Sequence, residues 1–328
     1  MAPFFIQFRM RSSSPSPSVP EAPRFVMVPG QCDLTCIWCN YRSNPPKEPM
    51  DFGRLLGQLE GLYAQGVRRV CFGHQSSEPT TCSDFPELVL QAHGMGFQSI
   101  SLYTSGLRLS ELAYVRRLKS CGLSAVNISL PGIDETIADI LLGRAGATAA
   151  KLAALEHCAS EGLQASATLM FVRPALSGMR RSVEGLRALA SRWPESIRFQ
   201  GTLLSPVVDE DPRRYPLFWP SYGEVAWTMR DIKTSAPDFK LFSSDAPSCV
   251  AGRIPGLCSE RQTMPRIPYV KPAKSCGRCR FSRQCPGVFA PYIKSHGGVS
   301  PASFLRGVAP RIPDVKMLAK QIRELKEP

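Results

Sequence analysis

The sequence predicts an α/β protein whose core is a partial barrel of six parallel strands. Between Arg24 and about Leu204, short runs rich in β-formers alternate with longer stretches of helical periodicity, and each pair fills about thirty residues. Glycines such as Gly66 and Gly96 follow the helical stretches, where helices commonly end. This alternation is typical of parallel strands joined by crossover helices. Six units predict an open barrel rather than the closed eightfold one.

The predicted strands share short runs of β-branched and aromatic residues. They are Arg24–Pro29, Val67–Gly73, Ser99–Thr104, Ala125–Leu130, Ala165–Val172 and Ile197–Leu204. Helices are predicted between them and after the last one, over Gly53–Ala64, Asp84–Met95, Ser110–Cys121, Thr148–Glu161, Met179–Arg192 and Tyr222–Lys233. In parallel sheets the chemistry lies beyond the carboxyl ends of the strands, so candidate residues are sought there.

Four segments are predicted along the chain. Residues 1–23, rich in Ser and Pro, form a flexible tail, and residues 24–236 form the barrel. Residues 237–301 form a small second domain, with too few periodic residues for a core unless a metal stabilises it. Residues 302–328 end in an amphipathic docking helix over Asp314–Leu325.

The composition bounds the class of protein. No apolar stretch reaches the length of about eighteen residues that a membrane helix needs. Of the 12 cysteines, seven are assigned to two metal sites, each built on a close-spaced group of three. This predicts metal ligation in a reducing, cytoplasmic compartment. Residues 250–328 carry 15 Lys or Arg against 4 Asp or Glu, or +11 of the net charge of +13. This segment is either a site for an anionic partner or a solvated basic face.

The first group of cysteines is Cys32-x3-Cys36-x2-Cys39, directly after the first predicted strand. Three thiolates within eight residues can bind one metal centre. A structural zinc site would need a fourth Cys or His nearby, and the nearest histidine is His74. Three protein ligands suit a 4Fe–4S cluster that leaves one iron open.

This spacing, with Trp38 just before the third cysteine, resembles the radical S-adenosylmethionine (SAM) superfamily. The resemblance implies that the open iron binds the amino and carboxylate groups of SAM. An electron from an external donor, such as flavodoxin or ferredoxin, would then cleave SAM to methionine and a 5′-deoxyadenosyl radical. That radical would abstract a hydrogen atom from the substrate.

Further segments extend the resemblance over residues 24–205. Gly73 to Pro79 is similar to the family's glycine-glycine-glutamate-proline segment, although Ser76 and Ser77 stand where glycines are common. Thr104-Ser105-Gly106 resembles the family's Thr-Asn-Gly. The cofactor contacts that the resemblance implies are Trp38, Ser77, Glu78, Thr104, Asn127, Ser129 and Arg173. For the positions after Glu78, ordinary polar residues at strand ends are an equal alternative.

The second group of cysteines is Cys276-x2-Cys279-x5-Cys285. It resembles the auxiliary-cluster domains called SPASM and twitch, and implies one auxiliary 4Fe–4S cluster. Phe289 stands where the full pattern has a further cysteine, so the fourth ligand is expected upstream. Cys249 is the first choice and Cys258 the alternative. A structural zinc site with four cysteines is the competing interpretation.

The leading hypothesis is therefore a radical SAM oxidoreductase or related enzyme that modifies an unactivated C–H bond of a small substrate. The basic segment favours a phosphorylated or nucleotide-like substrate. Too few residues precede the first strand for a cobalamin module or a peptide-recognition domain, so methyl transfer through cobalamin is not expected. Maturation of a ribosomal peptide is the second hypothesis. A non-enzymatic nucleic-acid-binding protein stabilised by zinc is the third.

Overall fold

A parallel sheet organises the chain. The computed structural model describes residues 22–39, 50–73, 78–203, 214–243, 246–259, 269–271, 276–283, 285, 287–296 and 309–324. Eight strands lie side by side in chain order, and every neighbouring pair is parallel. The α/β class and the open sheet are confirmed, and the sheet is two strands longer than the sequence predicts. No pairing within the described part of the chain joins the last strand to the first.

The strands are β1 (Arg24–Val26), β2 (Arg69–Phe72), β3 (Ser99–Thr104), β4 (Ala125–Leu130), β5 (Gln164–Met170), β6 (Ile197–Thr202), β7 (Leu241–Ser243) and β8 (Leu257–Ser259). The six predicted strands correspond to β1 to β6, and the bounds of β3 and β4 agree at both ends. β7 and β8 were not predicted, because three residues are too few to show a two-residue period.

Helices connect the strands as crossovers. They are α1 (Phe52–Ala64), α2 (Phe85–Gly94), α3 (Leu112–Ser120), α4 (Glu135–Leu142), α5 (Ala147–Ser160), α6 (Met179–Arg192), α7 (Tyr215–Phe218), α8 (Tyr222–Ser235) and α9 (Ser248–Ala251). All six predicted helices are present with ends within two residues. Helix α4 was missed, although Asp134 caps it by accepting from the Ile137 N–H. Aspartate at this position is a common start signal.

The two faces of the sheet differ in polarity. The face toward the helices is apolar and buried, with side chains such as Ile100, Val126 and Ile128. On the opposite face, called the lumen face here, the register aligns two polar rows. The first row contains Tyr103, Asn127, Ser166 and Arg198. The second row, nearer the carboxyl ends, contains Ser129, Thr168 and Gln200.

The C-terminal third adds short elements: β9 (Tyr269–Val270), β10 (Val288–Phe289), α10 (Ala290–His296) and α11 (Val315–Glu324). Strands β7 and β8 fall within residues 237–301 yet belong to the main sheet; the division into an auxiliary domain there stays a prediction. The predicted docking helix corresponds to α11, which packs against α4 and buries Leu318 and Ile322. Residues 1–21 and Leu325 lie outside the described residues.

Membrane-spanning helices were searched for within the described ranges. None of the helices found there is both long and apolar enough to cross a bilayer.

Candidate functional site

The loop after β1 carries the first three cysteines and is held at several points. The Thr35 N–H donates to the Leu142 carbonyl at 2.9 Å, and the Ile37 N–H donates to Leu141 at 3.0 Å. The guanidinium of Arg214, a side chain only 5% exposed, donates to the Ile37 carbonyl. The bonds to Leu141 and Leu142 satisfy carbonyls that the last turn of α4 leaves free. Together with the Arg214 bond they fix the loop at the carboxyl end of the sheet.

The three thiols lie in an apolar setting and influence one another. A small buried cluster of Leu34, Leu107, Leu142 and Ala147 packs against Cys32, Cys36 and Trp38. The pKa of the Cys36 thiol is raised to about 12, mainly by burial and in part by Cys39 and Cys32, while Lys151 opposes the rise. Burial likewise raises the pKa of Cys32 to about 11. A buried thiol resists ionisation without a compensating cation, so these thiols need a bound cation to become thiolates.

The donor set fits a 4Fe–4S cluster. Three cysteines from one loop, with apolar walls and without a neighbouring fourth thiol in the sequence, match a site with one open iron. Within the described ranges, no three His, Cys, Asp or Glu side chains form a group that could hold a single metal ion. Cys32, Cys36 and Cys39 are the residues that would hold the cluster.

Glu78 lies beside this loop and is 2% exposed. Its Oε1 accepts from the hydroxyls of Thr80 and Thr104, both at 2.6 Å, and its Oε2 accepts from the Ser105 N–H at 2.5 Å. The Glu78 N–H donates to the Gly30 carbonyl at 3.1 Å. The carboxylate therefore ties the segment after β2 to the end of β3, whereas its contact with a cofactor ammonium stays a prediction.

Replacing Glu78 by glutamine should destabilise the chain even without iron or SAM. A glutamine side chain has one acceptor oxygen, so either Ser105 or the two threonines would face an N–H group. We expect the free energy of unfolding of the iron-free chain to fall by about 1–3 kcal/mol, measured by urea denaturation. Glu87→Gln, on the exposed face of α2, is the control and should change it little. Equal stability of both variants would refute this role of Glu78.

The other predicted cofactor contacts lie in different places: two face the lumen, and the rest are engaged elsewhere in the protein or lie outside the described residues. Asn127 and Ser129 face the lumen, where Thr168 donates to the Asn127 amide oxygen at 3.1 Å. Thr104 is buried and engaged with Glu78. Arg173 bonds to Glu224 at 2.9 Å and to the Pro216 carbonyl at 3.0 Å, which ties its guanidinium to α8 and α7. Trp38 packs against the core, and Ser77 lies outside the described residues.

Gly143, which ends α4, lies directly under the cysteine loop. Its φ is +76°, and a Cβ there would lie 2.0 Å from Thr35 Oγ1. Gly146 has a similar φ of +74°, but a Cβ there meets nothing within 4 Å. Substitutions at Gly143 and Gly146 therefore separate the effect of backbone strain, which both share, from the effect of displacing the loop, which only Gly143 has.

We expect Gly143→Ala to lower the iron content of the reconstituted protein at least twofold, because the methyl group displaces Thr35. Gly146→Ala should share the backbone cost of about 1–2 kcal/mol but keep its iron. Iron analysis and thermal unfolding of both variants check this. Equal iron contents would mean that the loop accommodates the methyl group.

The second group of cysteines forms a compact turn. The Cys279 N–H donates to the Cys276 carbonyl at 3.1 Å, and the Cys285 N–H donates to Phe281 at 2.9 Å. The pKa of Cys249 is raised to about 11, mainly by burial and in part by the charges of Cys285, Cys279 and Cys276, so Cys249 lies within electrostatic reach of all three. Cys258 lies on β8 in register with Phe242.

Lys151, which was not predicted as a site residue, is fully buried on α5. Its ammonium donates to the carbonyl of Ser129 at 2.9 Å and to that of Ser105. The signal was present in the sequence: Lys151 follows Ala147 by four residues and precedes Leu155 by four, which places it on the apolar stripe of the helix.

A known protein family matches the segment of the chain that contains this site. The model of the Radical SAM superfamily matches residues 26–177, which contain the three-cysteine loop, Glu78 and Lys151. The chain therefore carries a radical SAM domain. Its relatives include a 7,8-dihydro-6-hydroxymethylpterin dimethyltransferase of Methanocaldococcus jannaschii, 25% identical over 261 residues, or 77% of this chain and 49% of the relative.

Two further similarities concern parts of the chain. A probable GTP 3′,8-cyclase of Archaeoglobus fulgidus is 32% identical over 111 residues, which are 33% of this chain and 35% of the relative. A radical SAM methyltransferase from Sphaerobacter thermophilus shares the fold, with a TM-score of 0.50 and 14% identity over 71% of this chain and 70% of that one. The chain spans half the length, or less, of the curated relatives named here.

Proposed function

We propose that this protein reductively cleaves SAM and abstracts hydrogen from an unactivated C–H bond of a small, anionic substrate. The observation that carries the proposal is the three-cysteine loop, held at the carboxyl end of a parallel sheet against buried Glu78 and Lys151. An auxiliary 4Fe–4S cluster on Cys249, Cys276, Cys279 and Cys285 is part of the proposal and would assist oxidation.

The residues of the chain have distinct tasks in this proposal. A bound cluster would supply the electron for reductive cleavage of SAM. The thiolates of Cys32, Cys36 and Cys39 would hold that cluster, and the apolar residues packed against Cys32 and Cys36 exclude water there. Glu78 keeps the Thr104–Ser105 turn in place through its hydrogen bonds. Asn127 and Ser129, on the lumen face, can orient a bound molecule through polar contacts.

A groove where β6 and β7 begin supports an anionic substrate. It has a volume of about 240 Å³, and its lining includes Arg198, Gln200, Lys240 and Phe242 together with Ile197, Phe199 and Phe239. Within the described part of the chain, no hydrogen bond or ion pair engages the side chains of Arg198, Gln200 or Lys240, although the Lys240 carbonyl accepts from the Gly201 N–H. Asp238, also in the groove, lies 3.6 Å from the Arg187 guanidinium. The groove is thus net positive and offers two cations, an amide and an aromatic ring, which suit a carboxylate or phosphate on an apolar body.

The distance along the sheet fits a substrate of moderate length. Arg198 precedes the end of β6 at Thr202 by four residues, which is about 13 Å in a strand. A substrate anchored at Arg198 would therefore reach the carboxyl end of the sheet with a body of roughly nucleotide size. The names of two relatives, which contain a pterin and GTP, support a small ring-containing substrate.

The experiment is an anaerobic incubation of the iron-loaded chain with SAM, reductant and a pool of anionic metabolites. Mass spectrometry should detect 5′-deoxyadenosine together with one depleted metabolite. Arg198→Met with Lys240→Met should lower the conversion of that metabolite at least tenfold while 5′-deoxyadenosine still forms. Arg230→Met, on the exposed side of α8, is the control. A colourless protein that contains zinc, or conversion of peptides alone, would contradict the proposal.

A further inference from the structure

Lys151 occupies a position that is costly for a lysine. The buried face of α5 otherwise consists of small or apolar residues, apart from Thr148. Lys151 is 0% exposed on this face, and a buried ammonium is unfavourable unless polar groups compensate for the lost water. The compensation must come from the carboxyl ends of the strands, because that is where its ammonium lies.

The contacts of the ammonium connect three strands of the sheet. It donates to the carbonyl of Ser129 in β4 at 2.9 Å and to that of Ser105, which directly follows β3. The N–H of the same Ser105 donates to Glu78, which follows β2. Ser105 is therefore held from both sides, by the Glu78 carboxylate at its N–H and by the Lys151 ammonium at its carbonyl.

The helix that carries this ammonium lies against the first group of cysteines: Ala147 of α5 belongs to the apolar cluster on which Cys32, Cys36 and Ala150 pack. Burial lowers the pKa of Lys151, and the charges of Cys36, Glu78 and Cys32 oppose this change. The two carbonyl oxygens that accept its hydrogen bonds favour the charged ammonium. Since a reduced cluster carries one more negative charge than an oxidised one, a fixed positive charge at this place stabilises the reduced state more.

We propose that Lys151 has two roles. It is a positioning residue that holds the ends of β3 and β4, and its buried positive charge makes the first cluster easier to reduce. This inference rests on the proposed function for the cluster, whereas the positioning part depends on the protein alone. Two substitutions separate the parts: Lys151→Gln keeps N–H donors and loses the charge, and Lys151→Met loses both.

The redox part is tested on the full chain loaded with iron and sulfide. The reduced 4Fe–4S signal that responds to SAM is followed by electron paramagnetic resonance during a potentiometric titration. For both variants we expect the ratio of reduced to oxidised cluster at a fixed potential to fall about tenfold, which is a shift of about 59 mV. Lys119→Met, which removes an exposed lysine from α3, should leave it unchanged. An unchanged midpoint in Lys151→Gln would overturn this part.

The positioning part is tested on the iron-free chain by amide hydrogen exchange. Lys151→Met should accelerate exchange at Ser105 and Gly106 at least tenfold, and Lys151→Gln should do so less. Equal rates in the wild type and Lys151→Met would overturn positioning. If the wild type forms no cluster that responds to SAM, the proposed function fails, but the exchange measurement still tests the positioning role of Lys151.

Discussion

Replacing Cys32, Cys36 and Cys39 together by alanine is expected to abolish 5′-deoxyadenosine formation and to remove about four of about eight irons per chain. The reason is that the loop after β1 provides all the ligands of the first site, while the second group of cysteines lies on other segments. Iron analysis and chromatography of reaction mixtures check the result. Cys71, Cys121 and Cys158, replaced together, are the matched control, because they belong to neither group of cysteines.

That control triple should keep its iron and its cleavage activity. A first-site triple variant that still forms 5′-deoxyadenosine at the wild-type rate would refute the proposed function. Loss of all iron instead of half would mean that the two sites do not load independently.

The second large effect concerns the fourth ligand of the auxiliary site. Cys249→Ala should lower the iron content from about eight toward four per chain and stop product formation, while 5′-deoxyadenosine still forms. The thiol of Cys249 lies within electrostatic reach of Cys276, Cys279 and Cys285. Because a bound cluster also holds these segments together, the variant should unfold at a lower temperature.

Cys258→Ala is the matched comparison, and it should keep its iron. Its thiol belongs to β8, where the register places it beside Phe242 of β7. Loss of iron from Cys258→Ala but not from Cys249→Ala would reverse the assignment. If both variants keep their iron, the auxiliary cluster would have an open iron.

Much of the barrel could be predicted because each unit has a local signal. The two-residue alternation of Ser99–Thr104 and Ala125–Leu130 fixed the bounds of β3 and β4, since hydrophobic period is the main signal of a strand. Helix α4 was missed because it shares one crossover with α5, and the longer helix α5 by itself accounts for that connection. β7 and β8 depend on pairing with β6 and carry no period of their own.

The candidate site was predictable only where its residues are close in sequence. The spacing of Cys32, Cys36 and Cys39 predicts a shared site, which stays a prediction, and the structure places all three on the loop after β1. The long-range partners of Glu78 and Lys151 could not be predicted, because only the folded sheet brings near the hydroxyl of Thr104 and the backbone groups of Ser105 and Ser129. Arg173 shows the converse: a charged residue at a strand end bonds to Glu224 instead of remaining available.

The supports of the cysteine loop have a consequence for the order of assembly. Arg214 reaches the Ile37 carbonyl across 177 residues of sequence, and α4, which holds Thr35 and Ile37, is itself covered by α11 near the C-terminus. Contacts of such long range form late in folding. During synthesis the cysteines emerge first, whereas the groups that hold their loop emerge much later. Stable iron insertion therefore belongs after Arg214 and α4 have folded onto the loop.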